Sequence, residues 1–388
     1  MKSLRLLLAI LALGLVGCND NETPAKPDTS IKSLGTPPNN EIWFTTNDGR
    51  ELITINEEAF GVAIEDISYT DWEYNTIRFA APLTEIGEGA FDNCRNLFNI
   101  SLPNSVTKIG ARAFFECVNM ECLTLGNGIQ ECGAFAFDSC YNLHTLHVPA
   151  IYSWCNIHFA NSEANPAVHP GRFIVNGEVI RSLNIHQKST KINPFAFYGN
   201  SAITEVIIPA SITNIGKDAF YNCDGLGKVK VEDINAWCNI AFENETANPL
   251  SLAQKLYLSN NTEVHDLKLT GVETISTRAF INCTSITSLT TDNELQRVGL
   301  EAFRNATSLT DITLGTSTKE LGERAFMGCS KLVSITCLAL VPPQLKDKYT
   351  FAYTDTECRI IVPSEAYEAY LADSMWSQYA DKIEKLQN

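Results

Sequence analysis

The stretch Ile86-Gly87-Glu88-Gly89-Ala90-Phe91-Asp92-Asn93-Cys94-Arg95-Asn96-Leu97-Phe98-Asn99-Ile100-Ser101-Leu102-Pro103 sets a pattern that most of the chain repeats. Its Ala-Phe pair recurs at Phe114, Phe137, Phe197, Phe220, Phe280, Phe303 and Phe326. The step is 23 residues, except for two steps of 60 that are each 23 plus an insertion of 37. Six residues after each Phe stands an apolar residue: Leu97, Met120, Leu143, Ile203, Leu226, Ile286, Leu309 and Leu332. Five residues before each Phe stands another: Ile86, Ile109, Cys132, Ile192, Ile215, Ile275, Val298 and Leu321. Eight copies that hold both offsets define a structural unit.

The unit reads Ile-Gly-x-x-Ala-Phe-x-x-Cys-x-x-Leu-x-x-Ile-x-Leu-Pro. Its end alternates with period two, as a short strand does, and stops at Pro103, Pro149 or Pro209, where a ladder donor is lost. The Ala-Phe segment then returns as a turn of helix or irregular coil. One unit cannot bury its own Phe and Leu. Stacked units place equivalent residues over one another, with one parallel strand per coil and a column of Phe along the array.

This pattern resembles the BspA-like leucine-rich repeats, with their 23-residue unit and a Cys after the Ala-Phe pair. The resemblance runs from about Ile42 to the C-terminus. It implies a leucine-rich-repeat solenoid: a right-handed β-α superhelix with one short parallel strand per coil, two enlarged hairpin-bearing coils and terminal caps. It also implies a curved concave strand face and a family of surface-displayed, ligand-binding bacterial proteins. Asn193 and Ser276 depart from the pattern at the Gly, and Asn200 and Ala306 at the Cys.

The array is expected over residues 83–341, with insertions near 149–185 and 231–268. The two insertions match each other: Trp154-Cys155-Asn156-Ile157 returns as Trp237-Cys238-Asn239-Ile240, and Asn165-Pro166 as Asn248-Pro249. Asn176-Gly177 signals a hairpin. Each insertion reads as an enlarged coil with a Trp-bearing helical turn and a hairpin. The two Trp suggest either a carbohydrate platform or packing of the insertion onto the array; their recurrence at the same place favours packing. Residues 41–82, with strands around a turn at Asp48-Gly49, read as an N-terminal cap. Residues 342–388 read as a C-terminal cap with helices near 365–371 and 375–386.

Lys2 and Arg5 precede an apolar run over residues 6–16, too short to span a bilayer and suited to a signal peptide over 1–17. Its end, Leu15-Val16-Gly17-Cys18, resembles a lipobox, which implies lipid attachment at Cys18; an ordinary secretory signal is the alternative. Residues 18–40 are polar and Pro-containing and read as a flexible tether. Asp20 and Glu22 loosely resemble the export signal of surface-displayed lipoproteins in the Bacteroidetes, so an outer-membrane lipoprotein exposed at the cell surface is expected, with a periplasm-facing one as the alternative.

The net charge of −16 disfavours nucleic acid as a partner. Of thirteen Cys, six hold one repeat position: Cys94, Cys117, Cys140, Cys223, Cys283 and Cys329. Buried thiols are favoured there over a disulfide ladder, because Asn200 and Ala306 occupy the same slot. No zinc, nucleotide or hydrolase motif is found, so no metal, cofactor or catalytic residue is assigned. The residues that flank the core position of each strand face outward. They give a candidate ligand face on the concave side: Asn99, Ser101, Thr124, Thr145, His147, Glu205, Lys228, Lys230, Ser288, Thr290, Asp311 and Thr313. Lys228 and Lys230 form one basic spot suited to an acidic group. The expected role is non-enzymatic binding of a host or matrix protein or glycan by a lipid-anchored surface protein. A structural or spacer lipoprotein of the envelope is the alternative, and an enzyme with a site built across coils a lesser one.

Overall fold

The computed structural model describes residues 33–46, 53–69, 74–168 and 171–387. Cys18, the leader before it and the Asp48-Gly49 turn lie outside these residues.

The Phe column forms as the repeat requires. Phe91 stacks on Phe114 with ring centroids 5.0 Å apart, and Phe114 on Phe137 at 5.2 Å. Phe197 and Phe220 follow at 5.4 Å, then Phe280, Phe303 and Phe326 at 4.9 and 5.3 Å. The turn that carries the pair is not helical. Residues two before and two after the Phe have left-handed backbone, as at Arg112 and Glu116 (φ 53° and 55°) or Glu301 and Asn305 (φ 53° and 59°). These reversals aim the backbone polar groups along the stacking direction. The Phe91 N–H donates to the Ala113 carbonyl of the next coil at 2.7 Å, Phe114 to Ala136 at 2.8 Å and Phe303 to Ala325 at 2.7 Å.

Each coil carries two strands, which corrects the expectation of one. Two-residue strands precede the Ala-Phe turn and pair in parallel: Glu85–Ile86, Lys108–Ile109 and Glu131–Cys132 in the first coils. The longer main strands follow the turn: Leu97–Ser101, Cys122–Thr124 and Thr145–Val148, also parallel. The repeat Gly answers the closeness of the short-strand side. A Cβ on Gly133 would lie 2.4 Å from the backbone N of Ala111, and one on Gly299 2.5 Å from that of Thr277. Asn193 and Ser276 escape this limit because an insertion helix lies next to them, and they donate to the Cys155 and Cys238 carbonyls at 2.9 and 2.8 Å.

The insertions add a full coil each. A helix (Ile151–Cys155 or Ile234–Cys238) leads to a short strand (His158–Phe159 or Ala241–Phe242) and then a main strand (Arg172–Val175 or Leu256–Leu258). The Trp154 and Trp237 indoles are buried and donate to the Ala196 and Ala279 carbonyls at 2.6 and 2.9 Å. In a regular coil that carbonyl accepts from the preceding Phe N–H. The Trp therefore completes the ladder across the insertion, and neither ring is an exposed carbohydrate platform. The expected hairpin forms at Asn176-Gly177, both with positive φ. These hairpins divide the main strands into three sheets.

The repeat runs further than its spacing suggests. Phe60 packs edge-on to Phe91 at 5.6 Å, ahead of the first recognised copy. Phe351 stacks on Phe326 at 5.7 Å, beyond the last one. The strand Glu41–Thr46 pairs antiparallel with both Asn75–Phe79 and Leu97–Ser101 and covers the first coil. At the other end the helix Tyr367–Ala372 forms near where it was expected. The segment read as a second helix is instead a 3-10 turn, Trp376–Lys382, and a strand, Ile383–Lys385, that joins the last sheet. No helix among the described residues is long and apolar enough to cross a membrane.

Phe220 is fully buried within the column. Phe220→Ala should lower stability by about 3–5 kcal/mol in denaturant titration, because the Phe197 ring stacked on it and the insertion packed beyond cannot close the gap.

Candidate functional site

Main strands turn alternate side chains outward, and register makes rows of them across each sheet. In the first sheet Asn99, Cys122 and Thr145 align, as do Ser101, Thr124 and His147. These positions are not an open face. Ser101, Cys122, Thr124 and Thr145 are 0–8% exposed, so the outward-facing candidates Ser101, Thr124 and Thr145 are covered here. Asn99 Nδ2 donates to Thr45 Oγ1 at 2.8 Å, across the capping strand. Ser101 Oγ donates to the Gly35 carbonyl, and Ser33 and Thr124 share a hydroxyl contact of 3.1 Å. Residues 33–40, read as part of a flexible tether, thus lie against the array.

In the middle sheet the strands Ser182–Asn184, Glu205–Ile208, Lys228–Val231 and Leu256–Leu258 pair in parallel. The expected basic spot is internally compensated. Lys230 Nζ lies 2.9 Å and Lys228 Nζ 3.6 Å from the same Glu205 oxygen, and Ser182 Oγ donates to Glu205 at 2.7 Å. Lys228 also lies over the Tyr257 ring at 4.8 Å. One net positive charge remains among these three groups. Burial raises the Glu205 pKa, but the hydrogen bonds from Lys230 and Ser182 and the two ammonium charges outweigh it and hold the carboxyl below its ordinary value. Tyr257 had been missed because it lies in an insertion; the alternation Leu256-Tyr257-Leu258 is the signal that turns it outward.

The third sheet is different. Asp266, Ser288, Asp311, Ser334 and Arg359 form one outward row, and Lys268, Thr290, Thr313, Thr336 and Ile361 the other. Ser288, Thr290, Asp311 and Thr313 are exposed or half-buried, so here the expected face is open. The core asks nothing of these side chains, since Leu289, Ile312 and Ile335 between them carry the packing.

The twelve Cys of the described residues are free and buried. In the repeat slot the thiol completes the ladder: Cys117 donates to the Phe91 carbonyl at 3.1 Å, Cys140 to Phe114 at 3.1 Å and Cys329 to Phe303 at 3.2 Å. Burial pushes the Cys140, Cys223 and Cys329 thiols up to about 12, so none is a ready nucleophile. Among the described residues no group of three His, Cys, Asp or Glu is placed to hold a metal ion.

Glu205 has a depressed folded pKa, so its contribution to stability is complete above the ordinary carboxylate value of 4.5 and is lost as pH falls through the folded value. Glu205→Gln should remove that component: the stability difference between variant and parent should be largest at neutral pH and shrink below about pH 4 in parallel denaturation series.

A model of the BspA type leucine rich repeat region matches six copies here, over residues 62–166, 168–251 and 252–368. Among solved structures, the chain is similar to a leucine rich cell surface protein from Faecalibacterium prausnitzii A2-165, at 20% identity and a TM-score of 0.39 over 92% of this chain and 96% of that one. It is similar to a leucine-rich repeat protein from Bacteroides ovatus ATCC 8483, at 19% identity and a TM-score of 0.38 over 90% and 99%. It is also similar to the pneumococcal vaccine antigen PcpA, at 15% identity and a TM-score of 0.35 over 78% and 83%. No curated protein matches the sequence. With the matched copies spanning most of its length and the Phe column stacked coil on coil, the chain belongs to the family of BspA-type leucine-rich repeat proteins.

Proposed function

We propose that this is a non-enzymatic, lipid-anchored protein of the cell surface that binds a protein or glycan through the outward face of its main sheets. The observation that carries the reading is the third sheet. Its Ser288, Thr290, Asp311 and Thr313 stand in register on a face that packing does not use. Repeat arrays present such faces to extended partners. Small neutral hydroxyls with interspersed carboxylates offer hydrogen bonds to a macromolecule and little to an isolated anion. The lipid anchor rests on the Lys2, Arg5 and Leu15-Val16-Gly17-Cys18 pattern, with acyl chains on Cys18, and display at the cell surface on Asp20 and Glu22 just after it.

Two experiments test the reading. The chain from residue 33 onward, applied to an array of matrix proteins and glycans, should bind a defined subset. Thr290→Arg with Thr313→Arg should weaken that binding by at least tenfold while stability changes by no more than about 0.5 kcal/mol each. Binding to nothing on the array, with self-association or envelope components as the sole partners, would favour a spacer role instead. For the anchor, Cys18→Ser should abolish incorporation of labelled palmitate and release the protein from the membrane fraction. Unchanged acylation would remove the lipid anchor from the proposal.

A further inference from the structure

The covered part of the first sheet shows what the face accepts. Cys122 is 2% exposed, yet it is absent from the hydrophobic core that contains the other eleven free cysteines. It points outward, in the row of Asn99 and Thr145, so whatever buries it lies on the outside of the sheet. Residues 33–38, which form neither helix nor strand, cross the adjoining outward row of Ser101 and Thr124. Their contacts are those of one chain lying on a row of hydroxyls. The Gly35 carbonyl accepts from Ser101, the Ser33 hydroxyl meets Thr124 two residues along from Cys122, and Pro37 is buried. Gly35 has φ 91°, a conformation that allows the segment to settle without a side chain. The Gly35 contact is to the main chain, the Ser33 contact needs a small hydroxyl, and the buried Pro37 adds a compact apolar group.

We propose that residues 33–38 are a built-in pseudo-ligand, and that the outward face of the main sheets recognises an extended peptide segment of small and Pro-rich character. The inference rests on the binding reading above and names its ligand class. The strap occupies the first sheet in cis, and a peptide in trans competes with it for the same hydroxyls. The open rows of the third sheet, with Ser288, Thr290 and Thr313, repeat the chemistry of Ser101 and Thr124 and offer the same contacts without a strap.

Cys122 lies two residues from Thr124 on the same outward side, where the strap is expected to shield it, so its thiol serves as the reporter. In the full chain, Gly35→Val places a β-branched residue at a left-handed position and should dislodge the segment. Labelling of Cys122 by a small thiol reagent under native conditions should then accelerate at least tenfold, with the eleven core thiols unreactive. Ser101→Val, which removes the hydroxyl that holds the Gly35 carbonyl, is the second variant and should act in the same direction. Adding Cys122→Ser to either should abolish the gained label. A synthetic peptide of residues 33–40, Ser-Leu-Gly-Thr-Pro-Pro-Asn-Asn, added in excess to the Gly35→Val chain should slow Cys122 labelling back towards the parent rate. Equal labelling in parent and both variants, labelling spread over the core thiols, or a peptide that gives no protection would each overturn the pseudo-ligand. None of these results would alter partner binding on the third sheet, which the Thr290 and Thr313 variants read separately.

Discussion

The hydrogen bond from the Phe N–H of one coil to the Ala carbonyl of the next is the constraint on which the architecture depends. It exists because two left-handed residues bracket each Phe and turn the backbone polar groups along the stack. A helix in the same place would spend those groups on itself. The bracket positions tolerate Gly, Asn, Arg and Glu, so the geometry is imposed by the neighbours more than by local preference. Once the rungs are in place, the Phe rings have one spacing available to them and Ala is favoured by the tight backbone contact. The thiol of the repeat Cys then caps the remaining Phe carbonyl from the following coil.

The insertions are informative because they break the spacing and keep the rung. Each brings an indole N–H and a carboxamide, Trp154 with Asn165 and Trp237 with Asn248, to the Ala carbonyl that would otherwise be buried without a donor. An unpaired buried carbonyl is destabilising by about 1–3 kcal/mol. The same pair of residues solves the same problem twice, 83 positions apart. The rung toward the other neighbour is also kept: the Phe137 and Phe220 N–H groups donate to Glu163 and Thr246 of the insertions. Extra chain is therefore accommodated only with replacements for both hydrogen bonds, and its main consequence is to divide the outward face into three panels.

Much of this was legible in the sequence, because a side chain that repeats at a fixed offset must repeat its surroundings. The Phe column, the buried Cys slot and the packing role of the Trp all follow from recurrence. What escaped did so for physical reasons. Phe60 and Phe351 stand 31 and 25 residues from their neighbours, and Thr350 replaces the Ala, so a search at 23 passes over them. The short strands have two residues each, below the length at which alternation is visible. The covering of Ser101 by residue 35 spans 66 positions and leaves no periodic trace. The pairing of Lys230 with Glu205 was hidden because the two residues lie 25 apart, and only parallel register brings them together.

The three panels share one backbone and differ in what occupies their outward rows. The first is covered by the chain's own segment, the second holds Glu205 between two lysines with one positive charge left over, and the third carries no strap. None of these differences touches the rungs, since the outward rows are separated from the Phe column by the inward residues of the same strands. Substitutions on the face and in the stack are therefore expected to be nearly independent. That separation lets one repeat carry different surfaces in different coils without renegotiating its fold. In the third sheet the Arg359–Glu384 pair closes the C-terminal end of the rows, and the hydroxyls of Ser288, Thr290 and Thr313 stay on the outward side without a strap.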